Sequence, residues 1–216
     1  MKADLFTLGA IVLWASLASL ATLLSDIPPF LLTGIGLIIG AMVSLPSLRS
    51  GLTPWKIPFK TLLIGVYGLF GYHFMLFLAL QTAPAVEANL VNYLWPLLIV
   101  LLSPIFTKSL SLNFRYVLAA ISGFAGAVIA ITYNGSGLGS LSIEIGYLFA
   151  LAAAVIWATY SLATTKVPSF PTPAIGLFAL VSGVLAIGAH FIFEPAVSIS
   201  TADWLLLLVL GVGPLG

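Results

Sequence analysis

The sequence predicts an all-α polytopic membrane protein, an inverted repeat of two five-helix units whose second unit is cut within its third helix. Three observations carry this: the composition, the spacing of the charges, and an internal match. Of 216 residues 61% are hydrophobic and only 6% charged, where a soluble domain carries about 25% charged residues. A lipid bilayer is therefore the solvent, and a net charge of +1 excludes a nucleic-acid surface. The chain has no cysteine, so it has no disulfide framework, thiolate nucleophile or Cys-ligated zinc.

A charge at mid-bilayer is too costly without a partner, so the charged residues divide the chain into apolar blocks, and each block has the length of a span, about 20 residues. The predicted spans are Leu5 to Leu24, Phe30 to Leu48, Thr61 to Gln81, Ala88 to Thr107, Tyr116 to Tyr133, Ile145 to Ala163, Ala174 to Phe193, and a last one opening at Trp204. Breakers punctuate their edges: Asp26-Ile27-Pro28-Pro29, Gly51 to Pro54, Ala83-Pro84, Asn134 to Ser142, Pro168 to Pro173 and Glu194-Pro195. Asp4, and a first block longer than the usual 7–15 apolar residues, argue against a cleaved leader.

If the spans alternate in direction, all seven basic residues (Lys2, Arg49, Lys56, Lys60, Lys108, Arg115, Lys166) fall on one side. Asp26, Glu87, Glu144, Glu194 and Asp203 fall on the other. The positive-inside rule then predicts a cytoplasmic N-terminus in a multi-pass protein of the inner membrane.

Displacing the sequence by 143 residues aligns Leu5, Phe6, Leu8, Ala10, Val12, Trp14 and Ala15 with Leu148, Phe149, Leu151, Ala153, Val155, Trp157 and Ala158, seven identities in eleven positions. An odd number of spans separates the two copies, so they cross in opposite directions. Such inverted repeats frame a substrate site near the midplane of secondary transporters. The expected units are 1–135 and 142–216. From Trp204 to Gly216 are 13 residues, about 20 Å of helix against about 30 Å of hydrocarbon, so the second unit is expected to be incomplete at two and a half spans.

Counting from the flanking charges puts Trp14, His73 and Trp157 near mid-depth. Tryptophan ordinarily prefers the interfacial belt, where Trp55 and Trp204 fit. Trp14 and Trp157 are either bulky packing residues or lining of a central site. The fourth span, EANLVNYLWPLLIVLLSP (Glu87 to Pro104), combines amides, aromatics and prolines. On a continuous helix Asn89, Asn92, Trp95 and Pro96 share one face, with Tyr93 at its margin. Pro96 removes the donor for the Asn92 carbonyl, and Pro104 that for Val100. Those carbonyls either serve a solute or are taken up by neighbouring side chains at a structural kink. Glu87 suits the first turn of this helix.

His73 follows Tyr72 on a helix whose Gly65, Gly68 and Gly71 permit close backbone approach; it is either a structural histidine or one that touches the solute. His190 is expected at the outer interface, Gln81 and Thr82 in water, and Ala119, Gly123 and Ala127 in a helix contact. No catalytic set occurs at mid-depth, since no acid and no serine with an adjacent base is found there, and nothing calls for a cofactor or metal. The glycines between Asn134 and Ser142 lack the lysine of a phosphate loop.

The ten-span plan in two halves and the segment Glu87 to Pro104 resemble the EamA branch of the drug/metabolite transporter superfamily. Tyr72-His73, Tyr93-Leu94-Trp95-Pro96 and Ile156-Trp157-Ala158 point to its amino acid exporters. The resemblance implies a central cavity lined by Tyr72, His73, Tyr93, Trp95 and Trp157, through which neutral, aromatic amino acids or flat organic cations leave the cytoplasm by alternating access. The chain departs from many members at Thr107-Lys108-Ser109-Leu110, where those carry an acidic residue before a basic one. With no acid in the first span to hold a cation tightly, a multidrug exporter is the second choice. A membrane-embedded enzyme and a partner-binding scaffold come after it. The partners expected are a small-molecule substrate and the bilayer; the oligomeric state is not legible.

Overall fold

The computed structural model describes residues 2–49, 51–107, 113–134 and 144–216. The segment around Lys108 to Leu110, most of the glycine-rich connection, and with it the boundary between units 1–135 and 142–216, lie outside the described residues. The elements are α1 (Lys2–Leu23), α2 (Pro29–Met42), α3 (Phe59–Thr82), α4 (Ala85–Asn92), α5 (Trp95–Phe106), α6 (Phe114–Asn134), α7 (Ile145–Thr164), α8 (Ala174–Phe193) and α9 (Thr201–Val212). Short 3₁₀ turns at Leu45–Leu48 and Thr53–Trp55 join α2 to α3. The protein is an all-α polytopic membrane protein. Phe59–Thr82, Ala85–Phe106, Ile145–Thr164 and Ala174–Phe193 are long and apolar enough to cross a bilayer; Thr7–Leu23, Pro29–Met42, Phe114–Gly126 and Thr201–Val212 are shorter apolar stretches.

Prolines decide where two expected spans depart from a single helix. Residue i of a helix normally donates to the carbonyl of residue i−4, a bond that proline cannot make and whose carbonyl its ring obstructs. The second span was expected to run to Leu48, but α2 stops at Met42, the residue four before Pro46. The fourth span was expected to be continuous, but α4 stops at Asn92, the residue four before Pro96, and a new helix starts at Trp95. Pro104 obeys the same chemistry and yet lies inside the last turn of α5, where the Ser103 hydroxyl donates to the Val100 carbonyl at 2.9 Å. The Val100 carbonyl is thus taken up by a neighbouring side chain.

Lipid tails are as apolar as leucine, so helix association in a bilayer rests on close packing at small residues. The main contacts are α3 with α7 and α2 with α8. On α3, a Cβ on Gly65 would lie 2.3 Å from the Phe178 ring and one on Gly68 2.3 Å from that of Tyr160, while Gly71 faces Ile156. The expectation of close approach at these three glycines holds. On α2 and α8, Gly34 receives Ile187, and Gly183 lies against Ile38 and the Gly34 carbonyl.

Of the stripe Ala119, Gly123 and Ala127, the first two do not make the helix contact expected of them among the described residues, and the side chain of Ala127 lies outside those described. Ala119 and Gly123 are exposed, and no atom comes within 4 Å of a Cβ built on Gly123. Phe114, Tyr116, Leu118, Ile121 and Ile129 are exposed with them, an apolar surface that lipid can solvate.

Candidate functional site

The close approach of α3 and α7 builds an aromatic cluster. With Gly68 offering no side chain, the Tyr160 ring seats on the backbone of α3, and Trp157, one turn earlier on the same face of α7, meets Tyr72 of α3. The ring centroids of Tyr72 and Trp157 are 4.6 Å apart, and those of Trp157 and Tyr160 5.4 Å. Trp14 of α1 meets Trp157 edge to face at 5.9 Å. The tryptophans that align in the internal repeat are therefore in contact. Trp14 is also 57% exposed, so it packs on Trp157 at the margin of the cluster.

Asn92 supplies the polar component. The break after it ends α4 with the side chain buried, and its Nδ2 donates to the Tyr72 hydroxyl at 3.2 Å. Its Oδ1 is buried without a partner. A buried acceptor left unpaired costs about 1–3 kcal/mol, and beside aromatic faces, which attract cations, it suits an ammonium group. The Tyr72 hydroxyl accepts from Asn92 and keeps its own hydrogen to donate.

The remaining expected residues are placed less centrally. Trp95 opens α5, which packs on α7, and is half-buried. Asn89 is half-buried, and its main-chain carbonyl accepts from the Tyr93 N–H. Tyr93 is 41% exposed and Pro96 is exposed. Between Asn89 and Asn92 on α4 and Trp95 and Pro96 on α5 the chain makes a turn at Tyr93 and Leu94. His73 is buried, with Nδ1 at 2.7 Å from the Leu69 carbonyl one turn back. A carbonyl only accepts, so Nδ1 carries the proton, and the ring packs edge-on to Tyr72 and against Phe77. These contacts favour the structural histidine.

One expectation about polar residues is corrected, and the partners of two others are defined. Gln81 is not turned to water: its Nε2 donates to the Ile27 carbonyl at 2.8 Å, tying the end of α3 to the turn before α2. Thr82 bonds back to the Leu78 carbonyl. His190 is buried, and its Nδ1 lies 2.9 Å from Glu194 Oε2. Trp204 is exposed, and Trp55 is half-buried with its indole N–H on the Pro173 carbonyl. Among the described residues no group of His, Asp and Glu is placed to hold a metal ion.

Tyr160 is the cluster residue that sequence reading missed. Its signal was present, since it lies three residues after Trp157 on one helix face. The capping of α2 by Glu194 had none, because 164 residues separate Glu194 from Phe30.

The family described as the EamA-like transporter family matches residues 1–132. A protein of Ancylobacter novellus named aromatic amino acid exporter YddG is 39% identical over 219 residues, an alignment that covers 100% of this chain and 76% of that protein. A protein of the same name from Salmonella typhimurium is 30% identical over 211 residues, covering 90% of this chain and 69% of that one. A solved crystal structure, 40% identical, superposes with a TM-score of 0.80 over 100% of this chain and 75% of its own.

Proposed function

The chain belongs to the EamA-like transporter family, and from that premise we propose that it exports neutral, aromatic amino acids across the inner membrane by alternating access. The observation that carries the substrate class is the aromatic cluster of Trp14, Tyr72, Trp157 and Tyr160 around a buried amide whose Oδ1 has no partner. The name shared by the two relatives supports the same class. In this proposal the substrate ring lies among the tryptophans and tyrosines. Its ammonium meets Asn92 Oδ1 and aromatic faces, and its carboxylate takes the Tyr72 hydroxyl hydrogen. Asn89, Tyr93 and Trp95 complete the wall, His73 backs Tyr72 from within the helix packing, and Pro96 supplies the break that turns Asn92 inward.

The pseudo-twofold of an inverted repeat belongs to this proposal. The contact of the aligned tryptophans supports it, as does the packing of α2 on α8, the helices that would be repeat mates. The charge distribution supports a cytoplasmic N-terminus. Alternating access is the family-level mechanism that such a twofold permits, because each half can rock against the other around a midplane site.

Reconstitution into proteoliposomes tests the substrate class. The described part of the cluster holds no carboxylate or fixed cation, and an ion entering a low-dielectric site without a countercharge loses several kcal/mol. Phenylalanine and tryptophan should therefore compete for flux far better than glutamate or lysine. Equal competition by glutamate would refute the proposed site.

A further inference from the structure

Glu194 makes a long-range contact that the aromatic site does not use. It follows α8, its side chain is 10% exposed, and its carboxylate accepts the N–H groups of Phe30 at 2.7 Å and Leu31 at 3.1 Å. These are orphan donors of the first turn of α2, a helix whose own N-cap, Pro28, offers no side-chain bond. His190, one turn back on α8, adds its Nδ1 to Oε2 at 2.9 Å and is itself 7% exposed. At the same end the Phe30 ring stacks on Phe74 at 3.9 Å, with Phe70 and Phe193 beside them. One carboxylate and a stack of phenylalanines thus fasten α2 to α8 and α3.

We propose that the His190–Glu194 pair is a proton-binding site that latches this end of the transporter, and that proton uptake releases α2 from α8. The proposal rests on the export function above only for its consequence on flux. In the latched state the imidazole Nδ1–H faces the carboxylate, and the pair carries one negative charge against the positive end of the α2 dipole. A proton taken from the adjoining solution, on Nε2 or on the carboxylate, brings the pair to neutrality. The charge that holds the Phe30 and Leu31 N–H groups is then cancelled or bonded to the proton, and water can replace it. On the charge distribution this is the outer end, so an external proton would favour opening toward the outside.

Few other charges compete there. The described α2 residues include no titratable group, the outer half of α3 from Phe74 to Thr82 has none, and α8 has only His190. Asp26, in the turn before α2, is exposed. Asp203, in the first turn of α9, is held in a capping box with Ser200.

Amide hydrogen exchange of the peptide Pro29 to Gly34, measured in detergent at several pH values and divided by the intrinsic rate, reads the latch without any transport. In the parent this exchange should rise about tenfold or more on acidification, the fold-change of a charge-assisted hydrogen bond lost. In Glu194→Gln it should be fast and independent of pH, and in His190→Gln the pH midpoint should move. Exchange in the parent that ignores pH, or a pH response retained in Glu194→Gln, overturns the proton site. Phenylalanine efflux from proteoliposomes provides the second arm: acceleration by external acid should be present in the parent and lost in Glu194→Gln. Efflux indifferent to the gradient, with the latch opening as described, overturns the link to transport. No phenylalanine flux in the parent, with a pH-dependent latch, refutes the exporter function and leaves the proton site supported.

Discussion

Trp157 is in contact with three other aromatic rings, those of Trp14, Tyr72 and Tyr160, whereas Trp204 is exposed and Trp55 bonds a loop carbonyl. If the cluster receives substrate, Trp157→Ala should lower export by an order of magnitude or more at matched membrane abundance. Trp55→Ala and Trp204→Ala should lower it less than twofold. Initial rates of efflux from cells or vesicles separate these outcomes, and equal losses would make Trp157 a packing residue. Asn92 permits a sharper comparison, because Asn92→Asp keeps the shape and adds a charge where Oδ1 is unpartnered. The variant should gain affinity for phenethylamine, which has the ammonium without the carboxylate, and lose affinity for phenylalanine. Competition assays on the two solutes measure the shift.

At the scale of the helix, the contrast among Pro46, Pro96 and Pro104 makes a stability prediction. Ser103→Ala leaves the Val100 carbonyl without its hydroxyl donor in a span that cannot recruit water freely. The expected loss is about 0.5–2 kcal/mol, read as a lowered midpoint of unfolding in detergent. Ser103→Thr, which retains a hydroxyl, should recover most of it. The packing of α3 on α7 makes a second prediction. A Cβ on Gly68 would lie 2.3 Å from the Tyr160 ring, so Gly68→Val must displace that ring or separate the helices. Overpacking of this kind costs about 1–3 kcal/mol. Because Tyr160 and Trp157 share a face, the same variant should alter tryptophan fluorescence, which thermal denaturation and emission spectra measured together would reveal.

At the scale of the whole molecule, the proposed orientation rests on the seven basic residues, and the absence of native cysteine makes it easy to test. Ser169 and Ser198 are both exposed, in the connections before α8 and before α9. Single Ser169→Cys and Ser198→Cys variants should react with a membrane-impermeant maleimide from the cytoplasmic side and from the outside respectively. The reverse pattern would invert the topology.

The sequence by itself determined the solvent, the number of apolar segments and their order, because these depend on composition and on the cost of a charge in lipid, which act locally. It also indicated that Gly65, Gly68 and Gly71 allow close approach, and it put Trp14 and Trp157 at comparable depth. Only the tertiary structure decided what those positions face. Proline chemistry named the carbonyls at risk, but only the structure shows a turn after Asn92 and a serine hydroxyl on the Val100 carbonyl. Gln81, His190 and Glu194 looked like polar residues at span ends, yet each is held by groups at the start of α2 or by one another. Their partners lie 54 to 164 residues away, apart from the His190–Glu194 pair. Hydrogen bonds of that kind are set by which helix ends the packing brings together, and a buried donor takes the acceptor that geometry supplies, whatever its distance along the chain.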